Sequence, residues 1–234
     1  TLSLHDALPI YDVMRDFYKD LNPAFQKSYK AQTGQDIAVQ QSHGGSSKQA
    51  MSVVSGLEAD VITMNQAPDI DLLAERGALV PKNWQQRLPD NAAPFTSTMI
   101  FLVRKGNPKQ IKDWNDLTKP GVAVIIPNPK ITGNGRYTYL AAWGQAQKAG
   151  GEAKARQYVE SLFKNVPVLD AGGRAATTTF MQRNIGDVLV TFENEAEMVA
   201  REFGRGSFDV IYPHQLFDKD GLSKMLLLFF LSIF

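Results

Sequence analysis

Short apolar runs alternate along most of the chain with longer segments whose apolar residues recur at helical spacing. The runs IAVQQ (37–41), ADVITM (59–64), MIFLVRK (99–105), VAVIIPN (122–128), VPVLD (166–170), DVLVTF (187–192) and FDVIYP (208–213) predict strands. Helices are predicted over 15–32, 48–55, 69–75, 137–149, 151–164, 175–183 and 194–203. In the first, Phe17, Leu21, Phe25 and Tyr29 share one face, Pro23 is expected to interrupt the segment, and Gly34 supplies the stop. Residues 84–95, rich in Pro, Asn and Asp, read as loop, and 114–117 as a short helical turn or irregular chain. Strand, loop and helix repeating at this length predict an α/β fold with mostly parallel sheet.

The two ends read differently. Residues 1–10, TLSLHDALPI, have neither a basic start nor a long apolar stretch, so they are not a signal peptide. Residues 225–234, MLLLFFLSIF, are too short to span a bilayer, which takes about 20 apolar residues. This segment reads either as a core strand or as a hydrophobic tail foreign to the domain.

Composition narrows the function classes. At 234 residues the chain makes one large domain or two modest ones. Twenty-five basic residues against 24 acidic ones give a net charge of +1, which argues against nucleic-acid binding through a broad basic field. The absence of cysteine excludes disulfides, thiolate metal sites and cysteine nucleophiles. The three histidines, His5, His43 and His214, are scattered.

Candidate chemistry concentrates at three strand-to-helix joints: Ser42-His43-Gly44-Gly45-Ser46-Ser47, Thr132-Gly133-Asn134-Gly135 and Ala171-Gly172-Gly173-Arg174. A helix start offers N–H groups without intrahelical partners and the positive end of a dipole. Glycine lets that backbone approach a ligand, and Ser or Thr adds a hydroxyl, so three such starts could cage an anion without a metal. Each joint also reads as an ordinary cap, and the residues alone leave both readings open. GNGRY and GGSSKQ do not match a P-loop, no GxGxxG or GxSxG occurs, and His43 beside Ser42 and Ser46 is a poor imitation of a nucleophile and base. Glu193, Glu195 and Glu197 read as a solvated helix start rather than a metal site, and Asp60 and Asp187 as partners of local turns.

From Tyr11 to Pro213 the chain resembles the periplasmic sulfate- and thiosulfate-binding proteins of bacterial ABC importers. The resemblance is carried by QSHGGSSKQA, ADVITMNQ, RLPDNAAPFTSTMIFLVRKGNPKQIKDWNDL, NPKITGNGRYTYLAAWG, GGRAATTTF and GDVLVTFENEA, in that order. It implies a type II periplasmic-binding-protein fold, two α/β lobes with a dianion held in the cleft by neutral donors. Lobe 1 would begin in 1–95, lobe 2 would occupy 96–212, and 213–234 would start the return to an incomplete lobe 1 before the foreign tail. By motif, the implied ligand contacts are Asp12, Ser46, Thr132, Gly133, Asn134, Gly173 and Phe192, with Arg136 and Arg174 behind them. Asp12 would act through its backbone N–H or by orienting a neighbour, since a bare carboxylate repels an anion. The family's sulfate-type members carry tryptophan where Phe192 stands, and phenylalanine has no donor, so the block leans toward the thiosulfate branch. The resemblance further implies a monomer exported to the periplasm, without its signal peptide here. Its partners would be sulfate or thiosulfate and the inner-membrane permease subunits, with no nucleic acid, cofactor, metal or catalysis. Alternatives are a receptor of the same fold for another oxyanion, such as molybdate or phosphate, and an enzyme on that fold.

Overall fold

The computed structural model describes residues 2–11, 14–93, 95–213 and 227–233. The chain divides into two units, Thr1–Thr96 with Leu228–Phe234, and Ser97–Leu227.

The first unit opens with β1 (Leu2–Tyr11), α1 (Arg15–Thr33), β2 (Ile37–Gly44), α2 (Ser46–Val54), β3 (Val61–Met64) and α3 (Ala67–Arg76). A 3-10 turn at Trp84–Arg87, the single turn α4 (Pro89–Ala92) and β4 (Phe95–Ser97) follow. β1 runs parallel to β2, with a register shift between Ser3 and Ala7, and parallel to β3 at Ile10↔Thr63. The core under this sheet joins Ala50, Val53, Ile62, Met64, Ile70, Leu73 and Trp84. Trp84, expected in plain loop, is buried and its indole N–H donates to Asp71 at 2.9 Å, which anchors that segment.

α1 departs from expectation twice. Pro23 sits inside one unbroken helix. The carbonyl it leaves without an N–H partner belongs to Lys19, which is exposed, so water can take over. The residues α1 buries are Tyr18 and Asn22, whereas Phe17, Leu21 and Phe25 are 46%, 41% and 44% exposed. The apolar stripe is therefore not the packing face. Instead the helix is fastened by Tyr18, whose hydroxyl lies 2.5 Å from Thr63 Oγ1, and by Gln26 Nε2, which donates to the carbonyl of Ile37 at 2.8 Å. Gly34 ends the helix in the left-handed region at φ 75°, as expected.

The second unit holds β5 (Met99–Arg104), a 3-10 turn at Trp114–Thr118, β6 (Val124–Pro127), α5 (Gly133–Lys164), β7 (Leu169–Asp170), α6 (Gly173–Met181), β8 (Val188–Phe192), α7 (Glu193–Phe203) and β9 (Phe208–Ile211). Its sheet has the order β7-β6-β8-β5-β9. β7, β6 and β8 are parallel neighbours, and β5 is antiparallel to both β8 and β9. β6 and β8 are buried throughout, as continuous apolar runs require when both sheet faces are covered. The expected break between two helices lies at Gly150–Gly151, where Gly151 adopts φ 76°. The Arg104 guanidinium donates to the carbonyls of Phe180, Ile185 and Gly186 and lies over the Phe180 ring, tying the end of α6 to β5. Asp187 does more than serve a local turn, because its carboxylate accepts the N–H of Ala123, 64 residues away, at 2.8 Å.

The apolar C-terminal segment forms β10 (Leu227–Ile233), antiparallel to β3 from Phe230↔Met64 to Ile233↔Val61. The first sheet is thus β2-β1-β3-β10-β4.

Candidate functional site

Because β7, β6 and β8 are parallel neighbours, their carboxyl ends share one edge of the second sheet, and α6, α5 and α7 all start there. This is the edge at which open α/β sheets bind ligands.

The start of α5 is organised by Asn128, a residue the sequence reading passed over. Its carbonyl accepts the N–H groups of Ile131 and Thr132 and the Thr132 hydroxyl, while its own N–H donates to the carbonyl of Asp170 at the end of β7. Its side-chain oxygen accepts the Lys130 N–H at 2.9 Å. The only available signal was an Asn between Pro127 and Pro129, a turn signature rather than a binding one. Thr132 caps α5 by accepting the Gly135 N–H at 3.1 Å, and its own proton goes to the Asn128 carbonyl at 2.8 Å. Both roles of that hydroxyl are therefore taken within the protein. The N–H groups of Gly133 and Asn134 have no acceptor among the described residues. Gly135 is required by packing, since a Cβ there would lie 2.4 Å from the carbonyl oxygen of Pro127.

On the neighbouring strand, Gly172 is the N-cap of α6 and Gly173 its first residue. The Gly173 N–H likewise has no acceptor among the described residues. Asp170 is buried just before this start, with one oxygen accepting from Thr179 at 3.1 Å. Arg174 turns its guanidinium to Glu202 at 2.7 Å, so part of its charge is neutralised within the unit. Arg136 lines a concavity of about 490 Å³ with Pro129, Lys130, Tyr139, Leu140 and Phe163.

At the third strand end, Phe192 is fully buried and meets Tyr137 edge-on, with ring centroids 6.1 Å apart. The Glu193 N–H donates to Thr98. The acidic trio is not uniformly solvated. Glu193 is exposed, whereas Glu195 is fully buried, because it shares an inward face with Val199 four residues on.

In the first unit Ser46 opens α2 and is 1% exposed. Its hydroxyl accepts the Asn65 N–H at 3.2 Å and donates only to the Met64 sulfur at 3.5 Å, a weak acceptor. Ser42 pairs with Gln49, so neither hydroxyl is engaged by His43. Asp12 and His214 lie outside the described residues. Among the described residues no cluster of three His, Asp or Glu side chains could hold a metal, and no helix is long and apolar enough to cross a membrane.

Unspent N–H groups at the adjacent starts of α5 and α6 form an arrangement suited to an anion. Residues 10–216 match the family of bacterial extracellular solute-binding proteins. The chain belongs to that family. It is 69% identical over 214 residues to a thiosulfate-binding protein of Pseudomonas aeruginosa, a match covering 89% of this chain and 64% of that protein. It is 55% identical over 207 residues to a sulfate-binding protein of Salmonella typhimurium, covering 88% of this chain and 63% of that protein. The chain thus spans less than two thirds of the length of these relatives. Among solved structures, the sulfate-binding protein SubI of Mycobacterium tuberculosis superposes with a TM-score of 0.85 at 30% identity, covering 100% of this chain and 76% of that one. The fold of this solute-binding protein is accordingly α/β, of the type II periplasmic-binding-protein kind, with one five-stranded sheet in each unit.

Proposed function

We propose that this solute-binding protein captures sulfate or thiosulfate in the periplasm and delivers it to the membrane permease of an ABC importer. The observation that carries the reading is the pair of neighbouring helix starts at Gly133–Asn134 and Gly173, whose N–H groups have no acceptor among the described residues. An anion at these starts gains the helix dipoles and several charge-assisted hydrogen bonds, and neither a cofactor nor a catalytic group takes part. The high identity to thiosulfate- and sulfate-binding proteins supports the same ligand class. Thr132 serves this site as the cap that fixes the helix start, and Ser46 and Asp12 are proposed as the further contacts that the family pattern assigns. Phe192 supplies an apolar wall and favours thiosulfate, whose terminal sulfur is a weaker acceptor than an oxygen. Arg136 and Arg174 are proposed to lie behind these contacts. Calorimetric titration with thiosulfate, sulfate, molybdate and phosphate tests the reading. Saturable binding of the first two, with thiosulfate ahead, is expected. Binding confined to molybdate or phosphate, or no binding of any anion, would overturn it.

A further inference from the structure

Asn134, the second residue of α5, is 3% exposed and carries two mismatches that share one remedy. Its side-chain nitrogen reaches Thr191 Oγ1 only at a long 3.4 Å. Its side-chain oxygen is buried without a hydrogen-bond partner. Thr191, the next-to-last residue of β8 and 1% exposed, accepts that long bond, and its own hydroxyl proton has no acceptor among the described residues. A buried amide oxygen lacking a donor beside a buried hydroxyl lacking an acceptor is an unusual pairing in a folded protein. Turning the carboxamide by half a revolution gives the Thr191 proton to Asn134 Oδ1 and repairs both. It also directs the amide N–H groups to the place the oxygen now faces, where they in turn require an acceptor.

We propose that the Asn134 carboxamide is itself a ligand of the bound oxyanion and that Thr191 is its positioning residue, holding the amide with its N–H groups toward the anion. The inference rests on the oxyanion-receptor reading above. The Asn134 backbone N–H belongs to the same helix start, so one residue presents donors from both backbone and side chain. The site then favours a fully ionised oxyanion, which brings an acceptor to the amide. A protonated oxyanion would instead use the amide oxygen, leave the carboxamide unturned and leave Thr191 without an acceptor.

Titration of the full chain with sulfate and thiosulfate, with a melting curve for each variant, tests this. Asn134→Ala is expected to weaken both anions at least tenfold. Thr191→Val weakens them several-fold, and Thr191→Ser restores binding. Asn134→Asp keeps the shape and suits a helix start, but sets a carboxylate against the anion. It should lose at least a hundredfold in sulfate affinity at pH 8 and recover part of it toward pH 5, where the parent stays level. That pH dependence places the side chain at 134 beside the anion, and the loss in Asn134→Ala with rescue by Thr191→Ser after the loss in Thr191→Val separates a ligand from a mere neighbour. Parent-like affinity in Asn134→Asp at pH 8 would overturn the proposal while leaving the receptor reading standing. If Asn134→Ala does not fold, the Asn134→Asp profile decides. Tighter binding of monohydrogen phosphate than of sulfate by the parent would assign the amide the acceptor role and also overturn it. A parent that binds no oxyanion overturns both readings.

Discussion

Two hydroxyls that look equivalent in the sequence have different duties. The Thr132 proton is bonded to a carbonyl and its oxygen to the Gly135 N–H, so it spends both capacities on the loop and the cap. The Ser46 proton rests on a thioether and can turn to a stronger acceptor at little cost. Ser46→Ala should therefore weaken thiosulfate binding by about 1.5–3 kcal/mol, the range for hydrogen bonds to charged groups. It should also lower the melting temperature, since the buried Asn65 N–H loses its acceptor. Met64→Leu, a swap of similar volume that removes the sulfur, should leave affinity nearly unchanged. Thr132→Ala should cost about 1 kcal/mol of stability as a lost cap, and Thr132→Ser should recover it. Paired titrations and urea melts on the four variants separate ligand from cap. Affinity in Ser46→Ala equal to the parent's would remove Ser46 from the site.

At the scale of elements, the starts of α5 and α6 are placed by close backbone approach and by non-local clamps. Gly135→Ala would set a Cβ against the Pro127–Pro129 backbone, which cannot yield as a side-chain tip can. We expect a loss of about 1–3 kcal/mol in stability, typical of overpacking, together with weakened anion binding as α5 shifts off β6. A variant that melts and binds like the parent would show that the approach has slack. The 3-10 turn at Trp114–Thr118 is held by a capping box of Asp113 and Asp116. Burial alone would raise the Asp116 pKa. The Lys119 ammonium and the N–H groups of Lys112 and Asp113 outweigh it and hold the carboxyl below its ordinary value. A lowered folded-state pKa means the contribution is complete above the unfolded-state value, near 4, and is lost as pH falls through the folded-state value. Asp116→Asn should thus be less stable than the parent at pH 7, with the gap closing below about pH 4. Melting curves from pH 7 to pH 3 check it, and a gap independent of pH would contradict the assignment.

At the scale of the whole molecule, a receptor for an anion held by backbone and neutral side chains should need no metal. Thiosulfate at 100 times its dissociation constant should stabilise the folded state by about 2.7 kcal/mol, read as a rise in melting temperature. A chelator should change neither that rise nor the basal melting point, and a fall in either would revive a metal site. The α/β class, the strands and helices between Ile37 and Ile211 other than α4 and β4, and the glycine-rich joints were legible in the sequence, because burial on both sheet faces writes continuous apolar runs and helix starts write Gly, Ser and Thr. The strand β1, whose run His5-Asp6 interrupts, and the antiparallel pairings of β5 were not. Local pattern also located the Gly34 stop and the break at Gly150–Gly151, since the conformations needed there suit glycine. Tertiary structure alone decided the rest. Which face of α1 packs was decided by Tyr18 reaching Thr63 and Gln26 reaching Ile37, and periodicity cannot see such partners. The pairing of the C-terminal run with β3 was decided the same way. So was the role of each polar residue at the helix starts. Thr132, Asn134 and Ser46 look alike as donors in one dimension, and only the atoms around them determine whose proton is already bonded and whose can turn to an anion.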